Sequence, residues 1–149
     1  MSYVQSIYHV VFRTYSSEKT ISESAERDFY KYAYTVAVAQ GAYVYRIGGM
    51  PDHVHLLVSI PPAISIADFV QHLKSTTSKW MNGNPLFPHF RGWAKEYAAI
   101  SYSMRDVEVI TNYIKNQKVH HQTQTFAEEY RAFLTECGIS INEAYWLKD

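Results

Sequence analysis

The stretch from Ala42 to Ile60 restricts the fold more than any other part of the chain. Ala42 to Ile47 is aromatic and β-branched, Gly48, Gly49, Pro51 and Asp52 punctuate it, and His53 to Ile60 resumes strand character until Pro61 and Pro62 end it. Two strands joined by a tight connection therefore lie mid-chain, with helical patterns on both sides. Upstream, Ser22 and Glu26 precede Phe29, Tyr30, Ala33, Tyr34, Ala37 and Val38 at helical spacing, and Gly41 is placed to stop the helix. Downstream, Ser65 opens a run in which Ile66, Phe69, Val70, Leu73, Thr77 and Trp80 recur at three- and four-residue steps, closing at Asn82-Gly83-Asn84-Pro85.

The ends complete the pattern. Tyr3 to Tyr15, rich in Val, Ile, Tyr and Phe, reads as a first strand. Phe87 to Glu96 reads as an irregular aromatic and basic loop, Tyr97 to Ser103 as a fourth strand, and Asp106 as the cap of a third helix carrying Val107, Ile110, Tyr113, Ile114 and Gln117. The order β-α-β-β-α-β-α predicts an α+β fold, a ferredoxin-like or RRM-like split β-α-β sandwich. Its four-stranded, mainly antiparallel sheet carries helices on one face, followed by a C-terminal helix bearing Tyr113 and a tail. At 149 residues and 47% hydrophobic the chain suits one domain spanning 1–149. Its core is expected over about 1–119 and a helical or irregular tail over about 120–149, an appendage lacking sustained apolar alternation.

No run approaches the roughly 20 apolar residues of a membrane span, and Arg13 interrupts the N-terminal apolar stretch before it can serve as a signal-peptide core. With Cys137 the single cysteine, no intramolecular disulfide or multi-cysteine zinc site is available. The expectation is a soluble cytoplasmic protein with no membrane partner. Formal net charge is zero, yet between Phe69 and Lys118 the basic residues Lys74, Lys79, Arg91, Lys95, Arg105, Lys115 and Lys118 face only Glu96, Asp106 and Glu108. The acidic residues Glu128, Glu129, Glu136, Glu143 and Asp149 of the tail hide this basic middle.

Two motifs carry chemistry. Along Asp52-His53-Val54-His55-Leu56-Leu57-Val58 side chains alternate, so His53 and His55 share a face, and two imidazoles on one face can share one ion. Oxygen ligands and water beside them suit manganese or magnesium. In Tyr113-Ile114-Lys115-Asn116-Gln117 a four-residue step places Tyr113 and Gln117 a turn apart on one helix face. A nearby cation favours the phenolate of the tyrosine, and Gln117 offers a neutral oxygen for a third ligand position.

Together, Gly49-Met50-Pro51-Asp52-His53-Val54-His55-Leu56-Leu57-Val58, Leu73-Lys74-Ser75 and Tyr113-Ile114-Lys115-Asn116-Gln117 resemble the insertion-sequence-200-like family of single-tyrosine HUH transposases, with REP-associated tyrosine transposases as relatives. The resemblance runs from Tyr8-His9-Val10-Val11-Phe12 through Gln117, and His120-His121 with Phe126, Glu128 and Glu129 is similar to a tail in some members. It implies that His53, His55 and Gln117 hold the metal, Mg2+ or Mn2+, and that Tyr113 attacks a phosphate to leave a 5′-phosphotyrosine link and a free 3′-hydroxyl. It also implies single-stranded DNA with hairpin-containing ends as substrate, and a homodimer whose tyrosine helix serves its own or the partner's histidines. Lys74, Lys79, Arg91 and Lys95, interleaved with Trp80, Phe90, Trp93 and Tyr97, are the candidate DNA contacts.

Where members often carry a basic cluster after the first strand, this chain has Arg13-Thr14-Tyr15-Ser16-Ser17-Glu18, so DNA contact there is expected to be weaker. His121, one turn past Gln117, is in reach of the site but reads as a surface residue, and His9 and Cys137 read as structural. A domesticated relative acting on chromosomal palindromes keeps the same chemistry. A metal-dependent nuclease using water, or a single-strand-binding module, does not.

Overall fold

A computed structural model describes residues 2–148. Strands β1 (Ile7–Thr14), β2 (Tyr43–Met50), β3 (His53–Ser59) and β4 (Trp93–Tyr102) form one sheet in the order β2-β3-β1-β4. Every pairing is antiparallel. Helices α1 (Glu26–Ala39) and α2 (Ile66–Met81) follow β1 and β3, and α3 (Val107–Lys115), α4 (Gln117–His120) and α5 (Phe126–Glu136) follow β4. This is the expected split β-α-β arrangement. No helix among the described residues is long and apolar enough to cross a membrane.

Alternation along the strands divides the side chains between two faces. Val10, Phe12, Val54, Leu56 and Val58 point to one, where Phe29 and Ala33 of α1 and Phe69, Val70 and Leu73 of α2 close the main core. Ser65 caps α2 by accepting from the Asp68 backbone N–H at 3.0 Å, as the sequence pattern implies. The other face presents Ile7, His9, Val11, His53, His55 and Leu57, and α3 and α5 lie across it through Ile110, Ile114, Phe126, Tyr130 and Leu134. The tail thus contributes more than an appendage: α5 buries Phe126, Glu129, Tyr130 and Leu134 against the sheet. Its apolar stripe of Phe126, Tyr130 and Leu134 is short, and contact with Val11, Ala98 and the His53 ring gives it its place on the sheet.

Three boundaries differ from the sequence reading. First, β2 runs through Gly48 and Gly49 to Met50, leaving Pro51-Asp52 as a two-residue turn. Both glycines are dictated by close approach: a Cβ on Gly49 would lie 2.2 Å from the His53 carbonyl oxygen, and one on Gly48 would meet Ile114 Cγ2 at 3.0 Å. Second, β4 starts at Trp93, because Trp93 pairs with Thr14 across a register shift and its ring enters the core against Phe12 at 4.8 Å. Third, α3 ends at Lys115, and Asn116 (φ −96°, ψ 20°) separates it from α4, so Tyr113 and Gln117 stand on two helices rather than one. A capping box between Ser103 and Asp106 starts this region, with Ser103 in the capping role expected of Asp106.

Candidate active site

His53 and His55 project from β3 toward α3, α4 and α5, and both are buried. Each ring is fixed at Nδ1. Asp52 Oδ1 lies 2.7 Å from His53 Nδ1, and His9 Nε2 lies 2.8 Å from His55 Nδ1. Both Nε2 atoms are thereby turned inward, where His53 Nε2 is 3.0 Å from Gln117 Oε1. Outer partners of this kind orient metal-binding imidazoles.

The centre of the cluster is Glu129, which the sequence reading did not include among its site residues. Its Oε1 lies 3.3 Å from His53 Nε2, 3.4 Å from His55 Nε2 and 3.0 Å from His121 Nε2. Its Oε2 accepts from Gln117 Nε2 at 2.8 Å and from the Tyr113 hydroxyl. A capping box of Thr125 and Glu128 opens α5, and Phe126, stacked on the His53 ring at 4.1 Å, seats the helix so that Glu129 falls one turn into it. The signal available in the sequence was Phe126, Tyr130 and Leu134 at four-residue steps with a carboxylate beside them.

His121, expected at the surface, has a side chain only 6% exposed and belongs to the cluster, because the turn after α4 swings it under Glu129. His9 also belongs to it, against its structural reading, through the bond to His55. Tyr113 meets the edge of His55 at 5.7 Å and stacks on His120 at 4.8 Å. A cleft of about 680 Å³, lined by Tyr113, Glu129, His9, Tyr102, Ile110 and Phe133, opens beside the phenol.

The charges are strongly coupled. Burial pushes the Glu129 carboxyl up, but hydrogen bonds from His53 and His55 and from Tyr113 outweigh it and hold the group well below the usual carboxylate range. Burial pulls His53 down, yet Asp52 and Glu129 lift it to about 9. For His55 burial dominates and lowers it to about 4. Burial and the hydrogen bond to Glu129 push the Tyr113 phenol well above its ordinary value, so in this arrangement it is protonated.

His53, His55 and Glu129 bring one ligand atom each within 4.8 Å of one another. With the Gln117 amide oxygen beside His53, this mixed nitrogen and oxygen set fits a divalent cation. The candidate DNA contacts lie elsewhere. Lys74 and Lys79 ride on α2, across the sheet from the histidines, and Lys74 Nζ donates to the Ala94 and Lys95 carbonyls at 2.7 and 3.1 Å. Arg91 is held bidentately by Glu18 at 2.9 and 3.1 Å, and Lys95 is exposed on β4. Trp80 and Trp93 pack internally, on Tyr32 at 4.3 Å and in the core.

Comparison with known proteins agrees with this architecture. The chain is similar to ISDra2 transposase TnpA of Deinococcus radiodurans, 32% identical over 89 residues, covering 55% of this chain and 62% of the relative. The matched region is thus less than two thirds of the relative's length. A crystal structure from Deinococcus radiodurans R1, described as that of a transposase, superposes with a TM-score of 0.61 at 27% identity over 78% of this chain and 95% of the other. The fold is also that of a REP-associated tyrosine transposase solved bound to a REP hairpin, with a TM-score of 0.61 at 11% identity over 81% of this chain and 72% of that one. The family model described as "Transposase IS200 like" matches residues 2–117, all four strands of the sheet and every helix through α3, and the chain belongs to the IS200-like transposase family.

Proposed function

We propose that this transposase cleaves and rejoins single-stranded DNA with Tyr113 as nucleophile and a divalent cation, Mg2+ or Mn2+, bound by His53, His55 and Gln117. The observation that carries this reading is the convergence of the Tyr113 hydroxyl, both imidazole Nε2 atoms and the Gln117 amide within one buried cluster. A cation there would draw charge from a non-bridging phosphate oxygen and favour the phenolate.

The chain's own groups do the rest. The Tyr113 oxygen attacks phosphorus from the cleft side, forming an O–P bond as the bond to the 3′-oxygen breaks. Glu129 Oε2 holds the hydroxyl in place, the phenolic proton is lost to water as the O–P bond forms, and the departing 3′-oxygen takes a proton from water. The product is a 5′-phosphotyrosine link and a free 3′-hydroxyl. A second 3′-hydroxyl reverses the attack and joins new ends without ATP, because the phosphodiester energy is retained in the tyrosyl link. Packing of α3 and α5 on the sheet holds nucleophile and ligands in fixed register.

A hairpin-containing substrate is supported by the REP-associated neighbour, which was solved on a REP hairpin. Lys74, Lys79, Arg91 and Lys95 are proposed to hold DNA away from the reacting phosphate, a role supported for Lys74 and Lys79 by their place on α2 across the sheet from the histidines. The active species is proposed to be a cytoplasmic homodimer, each site built within one chain, since Tyr113 here meets its own chain's Glu129 and His55. The test is a denaturing gel of protein, labelled single-stranded ends of the gene's own locus and Mn2+. A covalent band with wild type that vanishes in Tyr113→Phe supports tyrosine strand transfer. Cleavage surviving the substitution identifies a nuclease using water, and binding without any cleavage identifies a DNA-binding module.

A further inference from the structure

We propose that Glu129 is a ligand of the divalent cation, so that α5, supplied from beyond the segment matched by the family model, is fastened over the active site by the ion. The inference rests on the metal-dependent reading above and adds to it a ligand and a tethered element.

Geometry comes first. Glu129 Oε1 lies within 3.4 Å of three imidazole Nε2 atoms, those of His53, His55 and His121. The two strand histidines have their Nδ1 atoms already engaged by Asp52 and His9, which directs their remaining nitrogens at that oxygen. The carboxylate is itself 3% exposed and inside the same 4.8 Å group of ligand atoms. Charge comes second. Two imidazoles and an amide are neutral and leave a dication's full charge in a pocket where His53 and Gln117 are almost completely buried, which is strongly disfavoured. One carboxylate removes half of that charge, and a phosphodiester's single negative charge neutralises the remainder. The two oxygens of Glu129 also divide the work, since Oε1 faces the imidazoles while Oε2 faces Tyr113 and Gln117.

The consequence for the tail is specific. Apart from Glu129, α5 is held by apolar and ring contacts: Phe126, Tyr130 and Leu134 cluster with Val11 and Ala98, Phe126 stacks on His53, and Phe133 packs on His9. An ion joining Glu129 to β3 therefore adds a bond between the tail and the sheet that no other described residue of α5 supplies.

The experiment is a Mn2+ titration of the full chain, free Mn2+ being read from its electron paramagnetic resonance signal, with amide hydrogen exchange measured with and without the ion. Wild type is expected to bind Mn2+ and to slow exchange across residues 126–136. Glu129→Gln, which keeps the shape and loses the charge, is expected to weaken binding at least about tenfold and to lose the ion-induced protection of α5. Mn2+ binding by Glu129→Gln with wild-type affinity overturns the inference and leaves the metal reading intact. No Mn2+ binding by wild type overturns both. If Glu129→Gln does not fold, the exchange measurement on wild type decides alone: ion-induced protection of α5 supports the tether, and its absence refutes it.

Discussion

At the residue scale, the cluster depends on side chains that hold the histidines from behind. His9 is the clearest case, since its Nε2 fixes His55 by a 2.8 Å contact while its own ring packs on Phe133 at 5.0 Å. His9→Phe fills a similar space without a hydrogen-bonding nitrogen. It is expected to lower Mn2+ affinity by about 10- to 100-fold with little change in melting temperature, read by the same titration and by thermal unfolding. A loss of fold with no loss of affinity among the folded molecules would reduce His9 to a packing residue. Arg91 makes the opposite case. Its pair with Glu18 is solvent-exposed, so Arg91→Ala is expected to leave the melting temperature unchanged while weakening single-stranded DNA binding at low salt. That His53 and His55 share a face was legible because alternation on a strand is a local rule, and Gln117 still comes within 3.0 Å of His53 although the helix carrying Tyr113 breaks before it. Glu129, His121 and His9 were not legible in this way. Their significance arises from contacts 8 to 74 positions apart in the chain, which no local pattern encodes.

At the element scale, α3 reaches the sheet only because β2 carries no side chain at Gly48. A Gly48→Val side chain would press on the Ile114 methyl and carbonyl, 3.0 and 3.2 Å from its Cβ, and lever Tyr113 away from the histidines. The expected cost is about 1–3 kcal/mol of stability by denaturant unfolding, together with loss of DNA cleavage in a protein that still folds. The start of α5 gives a second test. Thr125→Ala removes the side chain that accepts from the Glu128 N–H at 3.2 Å and is expected to cost about 1 kcal/mol, felt as faster amide exchange in α5 before any other helix. The same elements mark where the sequence was readable. The two helices on the main core were found from their apolar periodicity, and the hairpin from its punctuation. The first turn of β4 looked like loop because Trp93 takes its place through packing on Phe12, Phe29 and Phe90. The break at Asn116 was hidden inside a run that continues at helical spacing.

At the scale of the whole molecule, the sheet separates two tasks. One face is an apolar core under α1 and α2, and the other is a polar cluster roofed by α3, α4 and α5 beside an open cleft. Weakening the first unfolds the protein: Phe69→Ala, at a fully buried position, is expected to cost about 3–5 kcal/mol. Substitutions in the second are expected to leave the fold intact, as its proposed role as a reaction centre requires. Chain-wide neutrality had concealed this division, and charge alone could not have located it, since Lys74 and Lys79 ride on α2 across the sheet from the histidines while Lys115 and Lys118 lie on α3 and α4. The central claim is that Tyr113 becomes covalently joined to DNA. The direct measurement is mass spectrometry of peptides from protein incubated with Mn2+ and its single-stranded substrate, after nuclease trimming of the DNA. A nucleotide adduct on the peptide containing Tyr113, and on none of the other tyrosines, is the expected result; cleaved DNA with no modified tyrosine, or an adduct carried elsewhere, would contradict it.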